Sequence, residues 1–213
     1  MDFTDEKSKY EVAWLKGLET NSRTAVPFAK FIESEQLEGS MLDLGCGNGF
    51  VVSYLKSKGF DCKGVDITLV GLETPLKIFT NQAVENDWRA DFISNRQTMF
   101  WEAPLDKLPF KDNEFDYTFS CDVLEHIPTD LVPKVIAEIL RVTRIKTYHV
   151  IATFRDVRGG INFHPTVQPI NWWQEQFVYS EEWKNKIGQQ VSVVLQSRKD
   201  FLLKTEGKVE RGL

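Results

Sequence analysis

The chain has 213 residues, 42% of them hydrophobic, and a formal net charge of −5, which suffices for one well-cored α/β domain over residues 1–213 and not for two full ones. A pI near 5.3 argues against a broad electrostatic grip on nucleic acid. The three cysteines, Cys46, Cys62 and Cys121, form no Cys-x-x-Cys pair, the first residues lack a signal peptide's basic and apolar regions, and no apolar run nears membrane-spanning length, so a soluble cytoplasmic protein is expected.

In chain order, residues 6–18 and 22–33 carry helical spacing, with Trp14, Leu15 and Leu18 and then Phe28, Phe31 and Ile32 as expected buried faces. Residues 1–38 thus read as an N-terminal helical cap. Met41-Leu42-Asp43-Leu44 is a short buried strand that runs into Gly45-Cys46-Gly47-Asn48-Gly49 and then a helix, the way open α/β sheets build a nucleotide pocket. Gly45 permits the sharp turn, Gly47 lets backbone approach a ligand with no Cβ in the way, and Gly49 lets the next helix pack close.

No Lys-Ser or Lys-Thr follows these glycines, so a phosphate-gripping loop is disfavoured. Asp43, two positions before the first glycine, would repel a pyrophosphate and suits an ammonium or sulfonium. Lys63-Gly64-Val65-Asp66 is a second short strand that ends in a carboxylate 21 positions after Gly45. An acid there accepts hydrogen bonds from both ribose hydroxyls, so the ligand reads as a nucleoside.

Thr74-Pro75 marks a helix start, and the 36-residue interval from Asp66 to Glu102 exceeds what one helix and two loops need, so residues 67–97 read as an enlarged insert. Residues 98–101 and 116–121 read as the third and fourth strands. A helix starting near Thr129 or Asp130 places Leu131, Val132, Val135, Ile136, Ile139 and Leu140 on one face, and Pro133 is tolerated so near its start. Residues 148–154 read as the fifth strand, 170–183 as a helix, 191–196 and 201–205 as a closing antiparallel pair, and 207–213 as a polar tail.

Four runs in order, Asp43 to Gly49, Gly64-Val65-Asp66-Ile67, Leu108 to Asp116 and Val123-Leu124-Glu125-His126-Ile127, resemble the successive signatures of class I S-adenosylmethionine-dependent methyltransferases. The resemblance spans residues 41–127 directly and, through the predicted elements, about 22–206. It implies a Rossmann-like doubly wound sheet of seven strands, mostly parallel with an antiparallel closing strand, with S-adenosyl-L-methionine over the carboxyl ends of the first strands. Family members usually enter the fifth strand through a glycine pair; here Arg144-Ile145-Lys146 stands instead.

By the same resemblance, Asp43 and the loop of Gly45, Cys46, Gly47 and Gly49 surround the methionine part, the helix N-terminus favouring its carboxylate and Asp43 its ammonium. Asp66 holds the ribose, Ile67 packs on the adenine face, and Glu102 with Ala103 sits at the adenine edge, with Asp106 as the competing acid. Cys121 and Asp122 lie beneath the sulfonium. Tyr10, Trp14 and Arg23 are candidate lid residues over the pocket, against a simple packing role for the aromatics.

On the acceptor side, Arg158-Gly159-Gly160-Ile161-Asn162-Phe163-His164-Pro165 reads as a mobile loop next to Trp172 and Trp173, and His164 is the general-base candidate. Glu125 and His126 are either catalytic or loop supports, and His149 reads as packing. Ser120-Cys121-Asp122-Val123 departs from the Asn-Pro-Pro-aromatic signature of many enzymes that methylate nucleic-acid bases. A small molecule or a sugar of a glycan precursor, methylated at oxygen, is therefore the expected substrate, with nucleic acid disfavoured. No metal requirement is expected. A nicotinamide dehydrogenase fits Asp43 and Leu124-Glu125-His126 poorly. Two alternatives stay open: a non-catalytic S-adenosylmethionine-binding partner protein, and a metal-assisted RNA 3′-end methyltransferase using Asp122, Glu125, His126 and His164.

Overall fold

A computed structural model of the chain describes residues 6–17, 24–73, 98–179 and 192–197. Two compact units divide it, Met1–Leu105 and Asp106–Leu213.

The first unit opens with α1 (Glu6–Leu15) and α2 (Ala25–Ser34), followed by β1 (Ser40–Leu44), α3 (Phe50–Ser57), β2 (Asp61–Asp66), a 3-10 turn (Val70–Glu73) and β3 (Phe100–Glu102). Ala25, Phe28, Ala29 and Ile32 are buried along one stripe of α2, the i, i+3, i+4, i+7 spacing that turns a single helical face inward. Pro27 falls in the first turn, where its missing N–H costs nothing. In α1, Trp14 is buried while Leu15 is 77% exposed, which corrects the expected inward face; Leu18 and Arg23 lie outside the described residues. Phe31 is half-buried.

β1 is buried over its last four residues, as a parallel strand covered on both faces requires. It pairs with β2 in parallel register from Ser40↔Asp61 to Leu44↔Val65, and β2 pairs with β3 from Gly64↔Phe100 to Asp66↔Glu102. The carboxyl ends of these strands therefore lie along one edge, with Asp66 and Glu102 directly opposite each other. The insert expected at 67–97 is described only as far as residue 73, and the Thr74-Pro75 helix start lies outside the described residues.

The second unit contains β4 (Phe115–Cys121), a 3-10 turn (Leu124–His126), the helix Val132–Val142, β5 (Thr143–Ile151), β6 (Val157–Arg158), β7 (Ile161–Asn162), the helix Ile170–Tyr179 and β8 (Ser192–Ser197). The Val132–Val142 helix buries Val132, Val135, Ile136, Ile139 and Leu140 as its spacing predicts, but Leu131 precedes the first helical turn and is 36% exposed.

β5 begins at Thr143, five residues before the expected start. Thr143 closes the helix and is already extended, at φ −91° and ψ 133°, so helix passes into strand with no glycine turn between them. Phe115 faces Thr143 whereas Tyr117 faces Lys146, which leaves Arg144 and Ile145 opposite Asp116 alone, a β-bulge. Arg144 bonds the Asp116 carboxylate there, so the residues standing in place of the glycine pair form a bulge and an ion pair.

The main sheet has six strands, three in each unit. The expected seventh strand is not seen among the described residues, because residues 201–205 lie outside them. β8 runs parallel to β5 from Lys146↔Ser192 to Ile151↔Ser197; residues 201–205, its expected antiparallel partner, lie outside the described residues. Antiparallel pairing among the described residues belongs to β6 and β7, where Gly159 at φ 57° and Gly160 at φ 78° make the two-residue turn that glycine pairs favour. The segment read as a mobile loop is thus a tight hairpin, missed because each of its strands is two residues long.

Candidate functional site

In the first unit the site grows from the end of β1. Gly45, Gly47 and Gly49 hold φ of 72°, 54° and 75°, a left-handed run that side-chain-bearing residues resist. The Gly45 and Cys46 N–H groups both donate to the Val65 carbonyl, at 2.8 and 3.1 Å, and Gly47 N–H donates to Asp66 Oδ2 at 2.8 Å. Thr68 N–H donates to Asp66 Oδ1 at 3.3 Å. The glycine loop is thereby fastened to the end of β2, and the Asp66 carboxylate is oriented by backbone.

Asp43 and Asp66 are 4% and 9% exposed. Burial, and then the charge of Asp66, hold the Asp43 carboxyl well above the usual carboxylate range. Burial also lifts Asp66 to about 6; the Gly47, Thr68 and Ile67 N–H groups oppose that rise and the Glu102 charge adds to it. Burial pushes the Cys46 thiol up as well, which keeps it protonated and inert. Ile67 is half-buried. Ala103 N–H donates to the Asp66 carbonyl at 2.8 Å, and Glu102 Oε2 accepts Leu69 N–H at 3.2 Å. Asp43, Gly45, Cys46, Gly47, Gly49, Asp66, Ile67, Glu102 and Ala103 therefore share one edge of the first unit's strands.

α1 closes over this loop. A Cβ on Gly47 would stand 3.3 Å from the Trp14 ring, and one on Gly71 would stand 2.8 Å from both the Gly47 carbonyl oxygen and the Trp14 ring. Trp14 thus packs directly on the glycine loop, Lys7 pairs with Glu102, and the Lys9 ammonium lies over the Tyr10 ring. The Lys7 hydrogen bond holds the Glu102 carboxyl below its usual range. Lys7 carries no family signature, and no periodicity in the sequence would have found it.

In the second unit the third signature proves to be architecture. Arg141 donates to the Phe110 and Leu108 carbonyls and to Asp112 and Glu138, Asn113 N–H donates to the Arg141 carbonyl, and Phe110 meets Phe115 edge-on at 4.9 Å. Asp106, the competing acid, pairs with Lys134 at 2.8 Å.

At the end of β4, Cys121 is half-buried and Asp122 adopts φ 56° with its N–H on the Val150 carbonyl. Glu125 is fully buried; its Oε1 accepts Ala152 N–H at 2.9 Å and its carbonyl accepts Thr166 N–H, so it does support its loop. It is also one of three potential ligands: one atom each of Glu125, His126 and His164 lie within 4.8 Å of one another. The imidazoles of His126 and His164 meet edge-on at 4.7 Å. Asp156, which belongs to no signature in the sequence, brings Oδ2 to 3.9 Å from His164 Nε2. His149 is packing, as expected: Ser120 and Thr147 bond its two nitrogens at 2.7 Å each, and burial drops it to about 3. Trp173 is a core residue, with Trp172 edge-on against it.

A sequence profile described as a methyltransferase domain matches residues 42–151, just over half of the chain. A curated relative, ubiquinone biosynthesis O-methyltransferase of Rickettsia typhi, is 31% identical over 87 residues, 41% of this chain and 30% of its own. Among solved structures, a [4+2]-cyclase, SpnF, superposes with a TM-score of 0.50 at 17% identity over 72% of this chain and 56% of its own. A Burkholderia thailandensis 1,6-didemethyltoxoflavin-N1-methyltransferase solved with S-adenosylhomocysteine gives 0.49 at 19% identity over 65% and 56%. The chain thus spans under a third of that curated relative and little more than half of those two structures.

Proposed function

The chain belongs to the class I S-adenosylmethionine-dependent methyltransferase family, and from that premise we propose that it binds S-adenosyl-L-methionine and transfers its methyl group to an oxygen of a small-molecule or sugar acceptor. The observation that carries the reading is the pair of buried carboxylates, Asp43 and Asp66, beside a glycine loop whose Gly47 N–H fastens the Asp66 carboxylate. Two like charges held out of water are costly. A ligand that brings an ammonium and a sulfonium to one and two hydroxyl donors to the other relieves both.

Within that assignment Asp43 faces the positive methionine end, and the loop from Gly45 to Gly49, fastened to the end of β2, lies against it. Asp66 takes the ribose hydroxyls while Gly47 and Thr68 hold its rotamer. Ile67, Glu102 and Ala103 border the adenine, and Trp14 keeps water from the loop. The sulfonium supplies an activated methyl group, so the protein's task is positioning and exclusion of water. In the second unit Cys121, Asp122, His126 and His164 are the groups we assign to the acceptor, with the histidines as those that meet an acceptor hydroxyl. The relative named as an O-methyltransferase supports oxygen as the acceptor atom. The fold alone does not decide this, since a cyclase shares it.

Calorimetric titration with S-adenosylmethionine and S-adenosylhomocysteine tests the first half: both should bind, and Asp66→Ala should weaken both by about tenfold or more while the protein stays folded. Absence of binding by the unmodified protein refutes the reading. Transfer of a radiolabelled methyl group to a panel of hydroxyl-bearing small molecules and glycans then tests the acceptor class.

A further inference from the structure

We propose that Glu125, His126 and His164 bind a divalent transition-metal ion. The site stands on its own geometry; only its use in methyl transfer rests on the function proposed above. Two imidazoles and a carboxylate make the donor set that zinc, cobalt, manganese and ferrous iron share. The donors come from two segments, the Leu124–His126 turn and the stretch bearing His164, and the two converge.

His164 is presented as a ligand. Its Nδ1 lies 2.6 Å from the Phe154 carbonyl oxygen, and because a carbonyl only accepts, Nδ1 carries the proton and Nε2 the lone pair. Fixing one ring nitrogen on a backbone carbonyl is how proteins set the tautomer of a metal-bound histidine. The Glu125 carboxylate, fully buried, is held by Ala152 N–H at Oε1. His126 follows it in the same 3-10 turn.

The segment bearing His164 is fastened to that turn. Thr166 N–H donates to the Glu125 carbonyl, and Thr166 Oγ1 donates to the Ile127 carbonyl at 2.7 Å and pairs with Thr129 Oγ1 at 2.8 Å. On the other side the β6–β7 hairpin returns the chain, with Phe163 N–H on the Asp156 carbonyl. A site needs such a supporting shell to hold its donors in register. The three ligand atoms, within 4.8 Å of one another, must draw in to about 3.4 Å for a tetrahedral ion with bonds near 2.1 Å. Side-chain adjustment by all three donors on metal binding supplies that movement. Asp156, 3.9 Å from His164 Nε2, stands where it can accept a hydrogen bond from a water on the ion.

With three protein ligands the ion keeps a position open. An acceptor hydroxyl entering it would become more acidic, its proton passing to solvent, so that under the proposed function its oxygen would be the nucleophile for the methyl carbon and the sulfur would leave as a neutral thioether. His164 would then act as a ligand rather than as the general base read from the sequence.

Cobalt(II) titrated into chelator-treated, dialysed full-length protein tests the site. One equivalent should bind with a dissociation constant below about 10 μM, with visible d–d absorption and a raised Tm. His164→Ala and His126→Asn should each weaken binding by about a hundredfold or more. His126 is half-buried, so its variant keeps the test valid should the His164 variant unfold. No cobalt or zinc binding tighter than about 100 μM, or binding that both variants leave unchanged, overturns the proposal. S-adenosylhomocysteine titrated in parallel separates the two ideas: cofactor binding without metal binding removes the metal site alone, and metal binding without cofactor binding removes the methyl-transfer reading alone.

Discussion

Asp66→Asn should make the protein more stable at neutral pH while it damages cofactor binding. The Asp66 carboxyl rises from 3.8 to about 6 in the folded chain, a shift of about 2 units, or about 3 kcal/mol of preference for the protonated form. Because the native protein holds this proton more tightly than the unfolded chain does, stability falls as pH rises through the window from about 4 to 6. Above about 6 the whole penalty is present. Asparagine removes it, but offers one acceptor where the carboxylate offered two. Gly47 or Thr68 N–H then loses its partner, at about 1–2 kcal/mol.

The net gain at pH 7.5 is therefore about 1–2 kcal/mol, and at pH 4.5 the sign should reverse. Urea unfolding of both proteins at the two pH values measures this, and the difference between them cancels the titrating groups that do not feel the Asp66 charge. In the same variant, affinity for S-adenosylhomocysteine should drop by about tenfold or more. In the unmodified protein that affinity should fall by up to about tenfold per pH unit below 6, since Asp66 must lose its proton to accept two hydroxyls. A variant that is destabilised equally at both pH values would refute the reasoning.

Gly71→Ala builds a Cβ 2.8 Å from the Gly47 carbonyl oxygen and from Trp14, so it should lower stability by about 1–3 kcal/mol and weaken S-adenosylhomocysteine binding, with Trp14→Phe in the same chain restoring part of both; thermal unfolding and calorimetry measure the pair. His149, held at about 3 by burial, is neutral in the fold and protonates first in the unfolded chain. Stability should thus be complete above about 6.5 and fall by up to about 1.4 kcal/mol per pH unit toward 3, a slope that His149→Gln should flatten in urea unfolding.

What the sequence made legible is what local backbone chemistry dictates. The three glycines announce their left-handed turn, and Asp43 and Asp66 sit at strand ends that apolar runs define. What it hid depends on partners distant in the chain. Leu15 and Leu131 fit helical spacing but fall at helix ends, where the buried stripe has already turned away. Arg144 and Lys146 look unlike strand because their side chains serve a bulge and a ring contact with Tyr148, so β5 begins five residues before the expected start. The four signatures also differ in kind. Leu108 to Asp116 is a loop clamped by Arg141, whereas Glu125-His126 is half of a cluster whose other half arrives at His164, across a hairpin too short to show a strand period.

Burial and polarity alone do not separate site from core here. Ser120, Thr118, Thr143, Thr147 and His149 are as deeply buried as Asp66, yet their hydroxyls and imidazole bond one another in a chain between β4 and β5. The neutral form of each member satisfies its neighbours, so the network fixes strand register and asks nothing of a ligand. At the end of β2 the neighbours have the wrong sign. Burial, and then the Glu102 charge, raise the cost of ionising Asp66, and backbone N–H groups recover only part of it. A core that needed only polar satisfaction would be relieved by a neutral amide at this position. The carboxylate is destabilising there unless something binds it, and that mismatch marks the first unit's edge as a binding site independently of any family signature.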